Sequence, residues 1–246
     1  MGRYIDTVRL RGATGGEGYY YRLPAVKALG ERPLKFSRDV TFLVGENGSG
    51  KSTLLEAIAV ASGFNPEGGS RNFRFSTRDT HAGLWEHVVL SRRAYPRDGF
   101  FLRAESFYNV ASNIDEMDEA PSFSPQVIES YGGVSLHERS HGESFLALVQ
   151  NRFGGQGLYL LDEPEAALSP TGLMALMAEM DRLVKRDSQL VIATHSPILM
   201  AFPEAEVLLL GEEGIRAVDY RETSHYQITR RFLEEPERMF RYLLGE

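Results

Sequence analysis

Gly45, Glu46, Asn47, Gly48, Ser49, Gly50, Lys51 and Ser52 follow one another in the order G-x-x-x-x-G-K-S. These residue types at this spacing suit the wrapping of a polyphosphate. The glycines let successive backbone N–H groups turn toward one anion. The Lys51 ammonium supplies a point charge for the β and γ phosphates, and the Ser52 hydroxyl is a ligand for Mg²⁺. Thr53 continues into the helix expected next, whose positive dipole end faces the same anion. A chance match in a glycine-rich turn would need neither a strand before it nor a helix after it, and both are expected here.

Three further polar clusters carry the other candidates. Asp162 and Glu163 follow the apolar run Leu158–Leu161, which places two carboxylates at the carboxyl end of a buried strand. Ligands of open α/β sheets bind at that edge. Asp162 suits Mg²⁺ held through water, and Glu163 suits the polarising of an attacking water. Alone, such a pair reads as a turn and a helix cap; the phosphate loop in the same chain gives it weight. Thr194-His195-Ser196-Pro197 follows another short strand, Leu190–Thr194. His195 there is a candidate contact for a terminal phosphate, against the ordinary reading of a structural histidine. Ser140-His141-Gly142-Glu143-Ser144 is a polar turn at a helix start, and its N–H groups and serine hydroxyl offer a second anion site.

Residues so spaced need strands that end together. Asp39–Val44 reads as the strand before the loop and Thr53–Ser62 as the helix after it. Gly63–Arg78 reads as a loop or insertion, Leu84–Arg93 and Gly99–Arg103 as short apolar runs, the second a strand. Ala111–Gln126 reads as an acidic and then Pro/Ser-rich surface loop. A helix opens at Gly142 with Phe145, Leu146, Leu148 and Val149 as its apolar pattern. Ser169 caps the next helix, with Pro170 at its first position. That helix runs to about Arg186 with Leu173, Leu176, Met177, Met180 and Leu183 inward, and Met174 and its neighbouring methionines assigned to the core. Val207–Leu210 and Ile215–Val218 read as a hairpin, and Arg230–Leu244 as an amphipathic helical tail. Strands alternating with helices imply an α/β fold, with a mainly parallel sheet flanked by helices on both faces.

Bulk properties narrow the class. The 246 residues are 42% apolar and 25% charged, as in a soluble globular protein. With no cysteine, disulfides and thiolate metal sites are excluded. The net charge of −7 creates no global pull toward DNA or anionic lipid. Arginines do cluster, at Arg71, Arg74 and Arg78 and at Arg92, Arg93, Arg97 and Arg103, as a solvated or intramolecular set or as a local nucleic-acid patch. No run approaches the roughly 20 apolar residues of an integral membrane segment. Met1–Leu10 lacks the apolar core of a secretion signal, so a cytoplasmic location is expected.

Together the four clusters resemble the ATP-binding-cassette (ABC) ATPases. Gly45–Thr53 resembles the Walker A of that family. Leu158–Ser169 resembles its Walker B, catalytic Glu and D-loop, and Thr194–Pro197 its switch histidine. The run Arg139–Ser144 resembles its signature motif, with Gly142 standing 20 residues before Asp162. Glu143 replaces the Gln of the transporter form and His141 a Gly, which is similar to the chromosome-maintenance and break-repair (SMC-like) branch. The DEPE and THSP runs resemble the stand-alone, AAA-like ATPases often labelled predicted ATPase.

The resemblance implies a P-loop NTPase fold of ABC type in a single domain, 1–246. A nucleotide-binding lobe would span about 1–80 and 151–246, and a helical lobe carrying the signature about 81–150. It implies ATP and Mg²⁺ as cofactors and ATP hydrolysis with Lys51, Glu163 and His195 as catalytic residues. Ser52 and Asp162 would hold the metal. Glu105 stands where the family has a metal-touching Gln, with Gln126 as the alternative. Tyr19, Tyr20 and Tyr21 lie where an adenine-stacking residue is expected, or are ordinary loop aromatics. The resemblance further implies an ATP-dependent homodimer, in which Ser140, Gly142 and Glu143 of one copy meet the nucleotide on the other.

Three roles fit. The first, which the Glu-type signature favours, is a soluble switch in DNA repair, maintenance or defence, acting on nucleic acid or a protein partner. The second is the nucleotide-binding subunit of a membrane ABC transporter. The third is a regulatory ATPase controlling a separately encoded toxin or nuclease.

Overall fold

The structure is a computed structural model that describes residues 3–12, 18–71, 83–119, 133, 137 and 140–245. In chain order it runs β1 (Ile5–Leu10), α1 (Pro24–Glu31), β2 (Leu34–Lys35), β3 (Val40–Val44) and α2 (Lys51–Ala61), then β4 (Val88–Arg92), β5 (Asp98–Arg103) and α3 (Phe107–Glu119). There follow α4 (His141–Arg152), β6 (Gly157–Asp162), α5 (Pro170–Val184), β7 (Gln189–Ala193), α6 (Pro197–Met200), β8 (Glu206–Gly211), β9 (Gly214–Val218), α7 (Ser224–Glu234) and α8 (Pro236–Leu244).

The main sheet has the order β5-β6-β7-β3-β8-β9. Its first five strands pair in parallel, and the β8–β9 hairpin adds one antiparallel edge. Parallel strands are buried on both faces, so they read as unbroken apolar runs. Alternate residues then divide between two cores. Phe42, Phe100, Tyr159, Leu161 and Ile192 face α3, α4 and α5. Leu43, Phe101, Leu158, Leu160 and Val191 face α1, α2 and a second, antiparallel sheet of order β2-β1-β4. Helices cover both faces, as the alternation of elements implies.

The small sheet is anchored by one buried side chain. Gln189 at the start of β7 is fully buried. Its Oε1 accepts from the N–H groups of Tyr4 and Ile5, each at 2.8 Å, and its Nε2 donates to the Ile5 carbonyl at 2.9 Å. The Gln amide thus completes a backbone pairing that the two sheets cannot make directly.

Several expectations need correcting. The stretch read as a loop from Ala111 is helical through Glu119, because Phe107, Val110, Ala111 and Ile114 recur at helical spacing and bury one face. Residues 120–126 lie outside the described residues. Met174 is 57% exposed and is no core residue. It sits one position, a rotation of about 100°, beyond the buried Leu173. The tail is two helices, not one, broken where Pro236 forces Glu235 out of helical geometry (φ −137°, ψ 60°). Neither tail helix buries a residue, and Leu233 and Leu244 are 75% and 68% exposed. The Ser169 cap holds as expected, its Oγ accepting from the Gly172 N–H at 3.2 Å.

Gln189→Ala would strand two buried donors and one acceptor. It should destabilise the chain by about 2–4 kcal/mol, read from the midpoint of urea unfolding. An unchanged midpoint would refute the anchoring role.

Candidate active site

β3 lies between β7 and β8, so the chain leaves the middle of the sheet at Val44 and must turn at once into α2. Gly45 and Gly50 make that turn. A Cβ at Gly45 would lie 2.3 Å from the Leu210 carbonyl oxygen. Gly50 has φ 94°, in the left-handed region, and a Cβ there would crowd Leu23 and Ala25 at 3.1 and 3.2 Å. The turn is fastened by the Ala25 N–H on the Ser49 carbonyl (3.0 Å) and the Ser49 N–H on the Glu46 carbonyl (3.1 Å). Lys51 is buried and folds back over it, its Nζ donating to the carbonyls of Gly45 (2.8 Å) and Glu46 (3.2 Å). Burial pulls the Lys51 ammonium below its usual range, and the carboxylates of Glu163 and Asp162 oppose that pull. Glu46, Asn47 and Gly48 form the exposed rim of the loop, and Thr53 is half-buried in α2.

The parallel register brings four strand ends level. Arg103 of β5 is paired with Asp162 of β6, Asp162 with Ala193 of β7, and Ala193 with Leu43 of β3. Asp162 therefore stands over the start of α2, and the Ser52 hydroxyl donates to its Oδ1 at 2.9 Å. Burial pushes the Asp162 carboxyl up from 3.8 to about 6; the Arg103 guanidinium and the Ser52 hydroxyl pull the other way. Arg103 Nε lies 3.5 Å from Asp162 Oδ2, while its Nη1 donates to Glu56 Oε2 at 2.8 Å. Ser52, Arg103, Glu105, Asp162 and Glu163 line one cleft of about 360 Å³, with His141 at the same opening. Glu105 reaches this cleft only at its mouth. Its side chain is 88% exposed and lies 3.7 Å from Arg103 Nη2.

Glu163 leaves β6 with φ 50° and ψ 52°, a left-handed backbone that a side chain seldom adopts. Strain of this kind persists where the surroundings over-determine it, often at reacting groups. The Glu163 N–H is held by the Ala193 carbonyl at 2.9 Å. His195 Nε2 lies 3.4 Å from Glu163 Oε1. Behind this pair, the Glu165 carboxylate accepts from the Thr194 hydroxyl (2.8 Å) and from the His195 backbone N–H. Two residues of α7 complete the ring of contacts. Ser224 Oγ donates to Glu46 Oε1 at 2.9 Å, and His225 Nε2 lies 2.8 Å from His195 Nδ1.

The second anion candidate is built differently. The Glu143 carboxylate accepts from the Ser140 N–H (3.1 Å) and the Ser140 hydroxyl (2.6 Å), so it caps its own helix, α4. A Cβ at Gly142 would lie 3.1 Å from the Ala167 carbonyl, which packs the start of α4 against the turn after Glu163. Ser140, Gly142 and Glu143 are not among the residues lining the cleft; His141 is. Arg139 and Gln126 lie outside the described residues.

Four contributors escaped the sequence reading: Arg103, Glu165, Ser224 and His225. Arg103 was grouped with arginines left open as solvated, intramolecular or nucleic-acid contacts, and it lies between Glu56 and Asp162. Arg93 pairs with Asp6 at 2.6 Å, and Arg92 donates to the Ala61 carbonyl. These three are thus engaged within the molecule, while Arg74 and Arg78 lie outside the described residues. Tyr19–Arg22 forms a short 3-10 turn just before Leu23, in which Tyr20 and Tyr21 pack on each other and Tyr19 is exposed.

Two family models match the chain. One, described as "AAA domain", covers residues 23–95, and one described as "AAA domain, putative AbiEii toxin, Type IV TA system" covers residues 129–201. A Geobacter sulfurreducens protein described as a "Putative ABC transporter ATP-binding protein" is 27% identical over 63% of this chain. This chain spans 58% of the length of that relative. A Haemophilus influenzae protein described as an "Uncharacterized ABC transporter ATP-binding protein" is 23% identical over 70% of this chain and 69% of its own length. Among solved structures, an ATP-binding cassette of an ABC transporter superposes with TM-score 0.50 at 15% identity, covering 95% of this chain and 96% of that one. A structure described as an inward-facing metal-chelate type ABC transporter gives TM-score 0.52 at 14% identity, over 93% of this chain and 88% of that one. At these identities the superpositions speak for the fold; the two matched ranges include Gly45–Ser52 in the first and Asp162, Glu163 and His195 in the second. Together the matches support an ABC-type ATPase.

Proposed function

We propose that this ATPase is an ATP-gated switch, in which two copies close head to tail on two nucleotides and reopen after hydrolysis. The observation that carries the reading is the levelling of Lys51, the Ser52–Asp162 pair and the Glu163–His195 pair at one edge of the sheet. Lys51 would bind the β and γ phosphates, Glu163 would orient the attacking water and take its proton, and His195 would support the γ phosphate. Such chemistry is mostly positioning and charge stabilisation.

The residues fit Mg²⁺. Asp162 is a buried carboxylate whose charge burial disfavours, beside a hydroxyl 2.9 Å away, and oxygen donors of this kind suit a small hard cation. Ser52 and Asp162 would hold the ion, with Glu105 at the mouth of the cleft. When bound, Mg²⁺ neutralises charge on the phosphoryl oxygens.

The homodimer is supported by the position of Ser140, Gly142 and Glu143 outside the lining of their own cleft, which leaves them for a nucleotide on another copy. We assign α3 and α4 to a helical lobe that presents them; the earlier part of the expected span 81–150 belongs to the sheets, since β4 and β5 pair there. Repair or defence on nucleic acid remains the first reading. The printed descriptions of the relatives support a transporter subunit, which would need a membrane partner, since no described helix is long and apolar enough to cross a bilayer. The toxin-system description of the second family model supports a regulatory role. DNA-stimulated turnover that falls steeply with salt selects the first, and co-fractionation with membranes the second.

In light scattering with Mg²⁺, Glu163→Gln should double in mass on addition of ATP and should turn over at under about a hundredth of the wild-type rate. A mass indifferent to ATP would remove the two-copy switch. Lys51→Ala should lose ATP binding by calorimetry, and retained tight binding would remove the phosphate-loop assignment. Asp162 has a folded-state pKa above its unfolded value, so its ionisation costs stability as pH rises from about 4 through 6. Asp162→Asn should therefore abolish turnover yet stabilise the nucleotide-free protein at pH 8 by on the order of 2 kcal/mol. The gain in melting temperature should vanish below pH 4, and a loss at pH 8 would contradict the burial argument.

A further inference from the structure

The first turn of α7 is where the C-terminal helices meet the active site. Ser224 binds Glu46 of the phosphate loop, and the next residue, His225, binds His195. The two imidazole rings are tilted by 58° with centroids 4.9 Å apart, and the 2.8 Å contact joins one nitrogen of each. It is a hydrogen bond, so one of the two nitrogens carries the proton.

The other nitrogen of His225 decides which one. His225 Nδ1 is buried and has no hydrogen-bond partner among the described residues. If the His225 proton were on Nδ1, a buried N–H would be left without an acceptor. If it is on Nε2, the buried atom is a bare lone pair and the proton is used. Orphaned buried donors are the rarer and costlier case. Burial, followed by the nearby His195, also holds His225 below the usual imidazole range, which keeps the ring neutral with a single proton to place. His225 Nε2–H then donates to His195 Nδ1. A neutral His195 whose Nδ1 accepts must carry its own proton on Nε2, the atom 3.4 Å from Glu163 Oε1.

We propose that His225 is a positioning residue for hydrolysis: it holds His195 in the Nε2–H tautomer, so that the switch histidine presents a donor to Glu163 and to the phosphate edge of the site. The proposal rests on the reading of His195 as the terminal-phosphate contact. It also makes seating of α7 a condition for a correctly protonated site.

The test combines nitrogen-15 NMR of the histidines in the full chain with steady-state kinetics. Wild-type His195 should show one tautomer with the proton on Nε2. His225→Phe keeps a ring but no donor; it should mix the tautomers and lower kcat about tenfold, the worth of one hydrogen bond, with KM changed by no more than about twofold. His225→Gln places an amide N–H near the lost nitrogen and should restore most of kcat. A wild-type His195 protonated on Nδ1 overturns the proposal, and so does a His225→Phe protein with unaltered tautomer and kcat. His195→Ala separates the two readings. If it leaves kcat intact, the phosphate role of His195 falls, while the wild-type tautomer still judges His225. If it abolishes turnover and His225→Phe does not lower it, only the positioning role falls.

Discussion

Parallel pairing of β5, β6, β7 and β3 in one register is the constraint on which the site depends. It sets Arg103, Asp162, Ala193 and Leu43 side by side, so that the loops leaving those strands begin at a common level. Because side chains alternate along a strand, a slip of one residue in β6 would send Asp162 to the opposite face and away from Ser52. Two dense cores, one on each face, oppose such a slip. Precision at the edge is therefore a product of burial far from the edge.

The site spends stability on charge. Lys51 and Asp162 are both nearly sequestered from water, and burial disfavours the ionised form of each. Arg103, itself tied to Glu56, offsets part of this at Asp162. Glu163 adds a left-handed backbone. A fold selected for stability alone would have none of these features. Their concentration at one edge of the sheet accords with the binding of a polyphosphate.

The loops are also tied to one another across the edge. Glu165, two residues beyond Glu163, grips the Thr194 hydroxyl and the His195 backbone. His225 and Ser224 link His195 and the Gly45–Ser52 loop to α7. The turn after Glu163, the His195 loop, the Gly45–Ser52 loop and α7 thus touch one another through direct hydrogen bonds. Leu233, Phe240, Leu243 and Leu244 of those helices are exposed, so the part of the molecule joined to His195 also carries exposed apolar side chains.

The site was legible in the sequence where chemistry forces local order. A phosphate loop needs its glycines, lysine and serine consecutively, and a buried parallel strand ending in carboxylates is a contiguous pattern, so Gly45–Ser52 and Leu158–Glu163 stood out without a structure. The α3 helix was obscured because its acidic residues masked the spacing of Phe107, Val110, Ala111 and Ile114. Glu143 read as a ligand for a distant anion, and its nearest use proved to be a cap on α4. From the sequence alone came the fold class, the strands β3, β5, β6 and β7 of the main sheet and the phosphate and carboxylate runs, because each rests on residues adjacent in the chain, whereas β1, α1, β2 and α3 were not read. Only the tertiary structure decided that Arg103 lies between Glu56 and Asp162, that Gln189 joins the two sheets, and that His225 meets His195 across 30 residues of chain. Those contacts come from packing between remote segments, for which no local spacing exists to be read.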